Sequence, residues 1–224
     1  MPAVLLPSPE RVAGRFFSIW TTRGFTDYVG LTIYHVLAAV VLAVLAGLTI
    51  ALLTYFAPVL NRAVYERLAP FLNSFPGVGW AYLGLIWFGI TSGSVIFASA
   101  IAMVPLAIIN IGAGLRALDA DIVEMAASMS RRRPRRVRMI ILPLLLPYLT
   151  ATVRLCFGVA WQIVLVVELL CGAKGLGSVI SVARQRYWTD MIFAVVILVL
   201  ALVFLIDRGV LARIQARIGK TFNG

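Results

Sequence analysis

Few residues in this 224-residue chain could do chemistry, and they are scattered. His35 is the one histidine, and the two cysteines, Cys156 and Cys171, lie in or at the end of one apolar run without zinc or redox spacing. They read as buried thiols. No Ser/His/Asp set and no pair of carboxylates in a shared polar setting is visible, so bond-making chemistry has no obvious seat. What remains is charge and hydrogen bonding. Glu168 stands in the apolar run AWQIVLVVELL with Trp161 and Gln162, and Asn110 stands between Ile109 and Ile111. From Arg131 to Arg138, six arginines fill eight positions, shortly after Asp121 and Glu124. The chemistry open to such groups is polar lining, interhelical bonding and docking.

The elements that must position these residues are set by composition. The chain is 62% hydrophobic and 13% charged, with a mean hydropathy of +0.99. A soluble domain is near 25% charged, so a soluble fold is excluded. Several apolar runs approach the roughly 20 residues of helix needed to cross a bilayer. The fold expected is all-α and polytopic, with about five transmembrane helices. They run from Gly30 to Phe56, Gly77 to Ile90, Val95 to Leu115, Leu144 to Cys171 and Met191 to Ile206. Ahead of them, residues 1–29 form an N-terminal interfacial segment, in which Ser8 and Pro9 start an amphipathic helix bearing Val12, Phe16, Ile19 and Trp20. Residues 30–210 are the membrane domain and residues 211–224 a basic cytoplasmic tail. No cleavable signal is evident.

The net charge of +11 would suggest nucleic acid in a soluble protein, but its distribution argues otherwise. Thirteen of the twenty basic residues lie at Arg62 and Arg67, from Arg116 to Arg138, and at Arg208, Arg213, Arg217 and Lys220. If those segments share one face, the positive-inside rule makes it cytoplasmic. The partner is then a lipid membrane, not nucleic acid. The Gly89–Gly93 turn and the segment from Gly172 to Asp190 fall outside, with only Lys174, Arg184 and Arg186. Five spans also place the N-terminus outside with Arg11, Arg15 and Arg23, against the charge rule.

Asp121 followed by Glu124 makes a capping-box-like helix start. A cytoplasmic helix is expected over about 121–134, broken near Pro134, with the small residues Ala126, Ala127 and Ser128 open to close approach. Glu124, Ala126 and the Ile140-x-Leu142-Pro143 ending resemble the EAA signature of permease subunits of bacterial ABC importers. Met125 and Ser130 replace the motif's first alanine and its glycine. The stretches from Phe75 to Ile90, Ala160 to Ile180 and Thr189 to Arg208 look like the nitrate, sulfonate and taurine branch, which usually carries one more N-terminal span.

The resemblance implies that the 121–134 segment is a coupling helix docking on a cytoplasmic ATPase. Asp121, Glu124, Met125, Ala126, Ala127, Ser130, Leu142 and Pro143 would form that contact. It implies a multi-pass protein of the bacterial inner membrane, paired with itself or with a second permease and served by an external solute-binding protein. Its cargo would be a small anion such as nitrate, taurine, a sulfonate or a similar organic acid. No G-x-x-x-x-G-K-[ST] loop is present, so ATP and magnesium would belong to the partner and this chain would be no enzyme. The arginine run serves docking, simple anchoring of topology, or contact with anionic lipid.

Glu168, Gln162, Trp161 and Asn110 are the candidates for a translocation path. Glu168 reads equally as a structural pair, and Asn110 as an interhelical hydrogen-bonding residue. Arg154 is expected to snorkel or pair at the inner interface. The competing classes are a secondary transporter driven by an ion gradient, which would want more intramembrane carboxylates than Glu168, and a membrane assembly factor.

Overall fold

The computed structural model describes residues 7–21, 24–118, 133–211 and 213. These residues form helices α1 (Pro9–Ile19), α2 (Phe25–Phe56), α3 (Ala69–Ser74), α4 (Gly77–Phe88), α5 (Ser92–Arg116), α6 (Leu142–Cys171), α7 (Leu176–Gln185) and α8 (Thr189–Ile206). Helices α2, α5, α6 and α8 are each long and apolar enough to cross a bilayer. Of these four, α5 is the most buried, and it forms the axis of the bundle.

Small residues let the other helices close on α5. A Cβ on Gly47 of α2 would meet Ala107 Cβ at 2.5 Å, and one on Gly84 of α4 would meet the Ser94 carbonyl at 2.9 Å. Near the other end of α5, Gly112 and Gly114 receive the rings of Tyr65 and Tyr148. Between apolar helices in lipid no hydrophobic force drives association, so close van der Waals packing at small residues supplies it.

The second crossing differs from the expected Gly77 to Ile90 span. It has two pieces, a π-helical stretch Arg62–Leu68 running into α3, then α4. Tyr65 packs at Gly112 and Gly84 at Ser94, so the two pieces together run antiparallel to the whole of α5. The break falls at Phe75 and Pro76, both extended, midway along the crossing. Arg62, Glu66, Arg67 and Pro70 make the first piece read as a loop in sequence. In the structure Arg62 and Glu66 pair on an exposed face at 3.0 Å, while Ala69 turns inward.

The fourth crossing also begins earlier than expected. The chain is helical from Arg133 through Val137–Ile141 and on to Cys171, while the expected 121–134 helix lies almost wholly outside the described residues. The π-helical turn Val137–Ile141 precedes Pro143. A proline lacks its N–H and crowds the carbonyl four residues back, and a widened turn relieves that conflict. The first crossing starts at Phe25, five residues before Gly30, and the outer segment after Cys171 contains α7 where no helix was anticipated.

Among the described residues, Arg116 and Arg136 lie at one end of the bundle, beside the stretch that carries Arg62 and Arg67. Arg116 lies over the Tyr65 ring at 4.9 Å and Arg136 over Phe56 at 5.8 Å, which joins the ends of α2, α5 and α6. This is the cytoplasmic end. At the other end α1 runs antiparallel to the first half of α8, with Arg15 paired to Asp190 at 2.9 Å and lying over Trp188. Arg15 thus sits on the outer side with its charge matched.

Candidate functional site

The densest polar site in the described bundle is built around Glu168, one turn from the outer end of α6. Its side chain is wholly buried, as are Thr32 and His35 of α2. Thr32 and His35 are three residues apart, hence on one helical face, and that face meets α6. Thr32 Oγ1 donates to both carboxylate oxygens at 3.0 Å, and His35 Nδ1 stands 2.8 Å from Oε1, which accepts its N–H. Oε2 accepts the backbone N–H of Gly177 at 2.9 Å.

These bonds organise the outer end. Gly172, at φ 67°, ends α6 in the left-handed conformation, its N–H bonded to the Glu168 carbonyl at 3.1 Å. The chain then turns back so that α7 starts against the carboxylate. Leu176 N–H reaches Thr32 Oγ1 at 2.8 Å. An anion at a helix N-terminus satisfies free N–H groups and complements the helix dipole. Gly175 and Gly177 permit this approach. A Cβ on Gly175 would collide with the Glu168 carboxyl group, and one on Gly177 would lie 2.5 Å from the Leu165 carbonyl.

Gln162 is exposed and faces away from this site. Six residues apart on a helix are about 240° around the axis, so Gln162 and Glu168 share no lining. Gln162 opens instead onto a groove of about 810 Å³ between α6 and α8. At that groove's inner end Arg154 and Asp207 form a two-pronged pair, Nε to Oδ1 at 2.8 Å and Nη2 to Oδ2 at 2.9 Å. Arg154 is therefore paired.

Trp161 is buried against Phe157, and its Nε1 has no hydrogen-bond partner among the described residues. Asn110 donates from Nδ2 to the Leu106 carbonyl of its own helix at 2.9 Å, and makes no interhelical hydrogen bond among the described residues. Leu142 and Pro143 are half-buried at the start of α6. Asp121, Glu124, Met125, Ala126, Ala127 and Ser130 lie outside the described residues. Among those described, no group of His, Cys, Asp and Glu could hold a metal, and both cysteines are buried.

Sequence reasoning gave no role at this site to Thr32, His35, Gly175 or Gly177. A polar pair three residues apart in an otherwise apolar span, and a Gly-x-Gly just past a buried carboxylate, were the available signals.

A helical bundle with a hub helix and four helices long and apolar enough to cross a bilayer defines a multi-pass membrane protein. Residues 16–219 match the model of the family described as binding-protein-dependent transport system inner membrane component, and the chain belongs to that family. It is similar to the taurine transport system permease protein TauC of Escherichia coli (24% identical over 93% of this chain and 78% of the relative). It is also similar to the riboflavin transport system permease protein RibX of Chloroflexus aurantiacus (34%, over 96% and 81%). A third relative is the aliphatic sulfonates transport permease protein SsuC assigned in Bacillus subtilis (27%, over 88% and 71%).

Among solved structures, inward-facing MetNI methionine ABC transporter superposes with a TM-score of 0.73 at 18% identity, covering 86% of this chain and 95% of that one. An amino acid ABC transporter gives 0.65 at 20%, over 96% and 97%. The chain is thus a multi-pass inner-membrane permease subunit of an ABC importer, a transport component and not an enzyme. As such it works with an ATPase and a solute-binding protein.

Proposed function

We propose that this permease imports a small solute bearing a sulfonate or carboxylate-like oxyanion. The observation that carries the reading is the set of relatives named for taurine, aliphatic sulfonates and bicarbonate. A second reading, a flavin-like cargo, is favoured by the 34% identity to the riboflavin permease. Uptake of radiolabelled taurine, an alkanesulfonate, bicarbonate and riboflavin by cells with and without the gene separates the two. Loss of uptake of one of the three oxyanions supports the first reading, and loss of riboflavin uptake alone supports the second.

The permease works as a pair, either of two copies or with a second permease, around a shared path. An unpaired amide facing lipid is costly, and Gln162 on the open face of α6 is better served by a wet path or a partner chain. The segment from Asp121 to Ser130, with Glu124 and Ala126 at its centre, docks on the ATPase, and that ATPase holds ATP and magnesium. The continuous helical stretch from Arg133 to Cys171 has 39 residues, on the order of 55 Å, with a π-helical turn at Val137–Ile141. Movement at its arginine-rich foot is carried to the Glu168 site at its top, a two-state change biased by the ATPases. Purification of the tagged chain in mild detergent, with and without Glu124→Arg, tests the docking. The native chain retains an ATPase and the variant loses it; equal retention by both overturns the assignment.

A further inference from the structure

The α6–α8 groove carries a feature that the importer reading does not use. Arg154, Gly158 and Gln162 are four residues apart in turn, so they form one stripe along α6, facing Leu200, Phe204 and Asp207 of the α8 side. Gly158 leaves the middle of the stripe open, with nothing within 4 Å of where a Cβ would stand. Arg154 and Asp207 retain 43% and 32% side-chain exposure, so their pair is reachable from the groove. Arg208, 5.3 Å over the Phe204 ring, adds cationic character at the inner mouth. A guanidinium fork holds a carboxylate with two parallel N–H bonds, and a sulfonate or bicarbonate offers it the same pair of oxygens. Asp207 lies at the start of a π-helical turn, Asp207–Leu211, at the end of α8.

We propose that Arg154 is an anion subsite at the inner end of this groove, and that Asp207 is its built-in occupant, exchanging with an oxyanion that has passed Gln162. The pair then discriminates cargo by charge at a place remote from the binding protein. This rests on the oxyanion reading of the cargo, but its test needs no cargo.

Gln162→Cys is introduced in the full complex in inside-out membrane vesicles. Its rates of labelling by anionic sulfonatoethyl and cationic trimethylammonioethyl methanethiosulfonate are compared, with the native chain as blank. Gln162 is about 12 Å along the helix from Arg154. One unit charge at that distance in a watery groove changes the anionic-to-cationic ratio about threefold. Arg154→Gln lowers the ratio by about that factor and Asp207→Asn raises it. Excess methanesulfonate slows the anionic label in the Asp207→Asn background and not with Arg154→Gln. Labelling by neither reagent, a ratio unmoved by Asp207→Asn, or equal protection in both backgrounds overturns the proposal. If Arg154→Gln fails to insert, the Asp207→Asn ratio decides alone. The uptake panel can fail for oxyanions while this ratio still shifts, so the two proposals fall separately.

Discussion

The Glu168 carboxylate accepts the backbone N–H of Gly177, nine residues further on, at 2.9 Å inside a fully buried site. One side chain thereby fixes where α6 ends, where α7 begins and how both meet α2. Three donors converge on it, from Thr32, His35 and Gly177. Removing it strands all three.

Glu168→Ala is expected to destabilise the chain by more than the Gln variant, about 1–3 kcal/mol for each buried donor left without an acceptor. Glu168→Gln keeps one acceptor but points an N–H₂ group at donors, and costs about 1–3 kcal/mol. Thermal or denaturant unfolding of the purified chain in detergent gives the order Ala worse than Gln worse than native. Two variants equal to native would show that the cluster does not hold the outer end.

Gly175→Ala tests the same junction from the other side. The new methyl would occupy the place of the Glu168 carboxyl, so α7 must move off α6. Overpacking of this kind costs about 1–3 kcal/mol. Protease cleavage between Cys171 and Trp188 is expected to speed up in the variant, and an unchanged cleavage rate would contradict the close approach.

Gly47→Val addresses the bundle axis. The nearest atoms to a Cβ there include the Ala107 backbone carbon at 3.0 Å and the Ile108 nitrogen at 3.1 Å, which cannot rotate away. Separation of α2 from α5 is expected, with a loss of about 1–3 kcal/mol and lower yield of folded protein. A monodisperse variant of native melting temperature would refute the close crossing.

Gln162→Leu should leave stability within about 0.5 kcal/mol, since the side chain makes no hydrogen bond among the described residues and is exposed. Uptake is expected to fall severalfold if the amide lines the path. A variant with native transport and a lowered melting temperature would make Gln162 a packing residue instead.

Some of this was legible in the amino-acid order. Hydropathy alone marks α2, α5, α6 and α8, because a bilayer demands long apolar helices whatever their neighbours. The arginine distribution orients them, since the charge rule acts on loops and not on packing. The absence of reactive clusters and the spacing from Glu124 to Pro143 led to the transport class, which the family match bears out.

Other features depend on partners far apart in the chain. The second crossing was half missed because its first piece places charged and polar residues on one exposed face and Ala69 inward, a division that periodicity in so short a stretch does not reveal. Thr32 and Glu168 are 136 residues apart, and Arg154 and Asp207 are 53 apart. Nothing local announces either pair. Sequence by itself determined which four segments form long apolar helices, because that follows from each segment's own transfer into lipid. Only the tertiary structure decided that Glu168 is enclosed by Thr32, His35 and α7 while Gln162 stands open on a groove. That choice depends on which face of α6 the neighbouring helices cover, and a single helix does not carry that information.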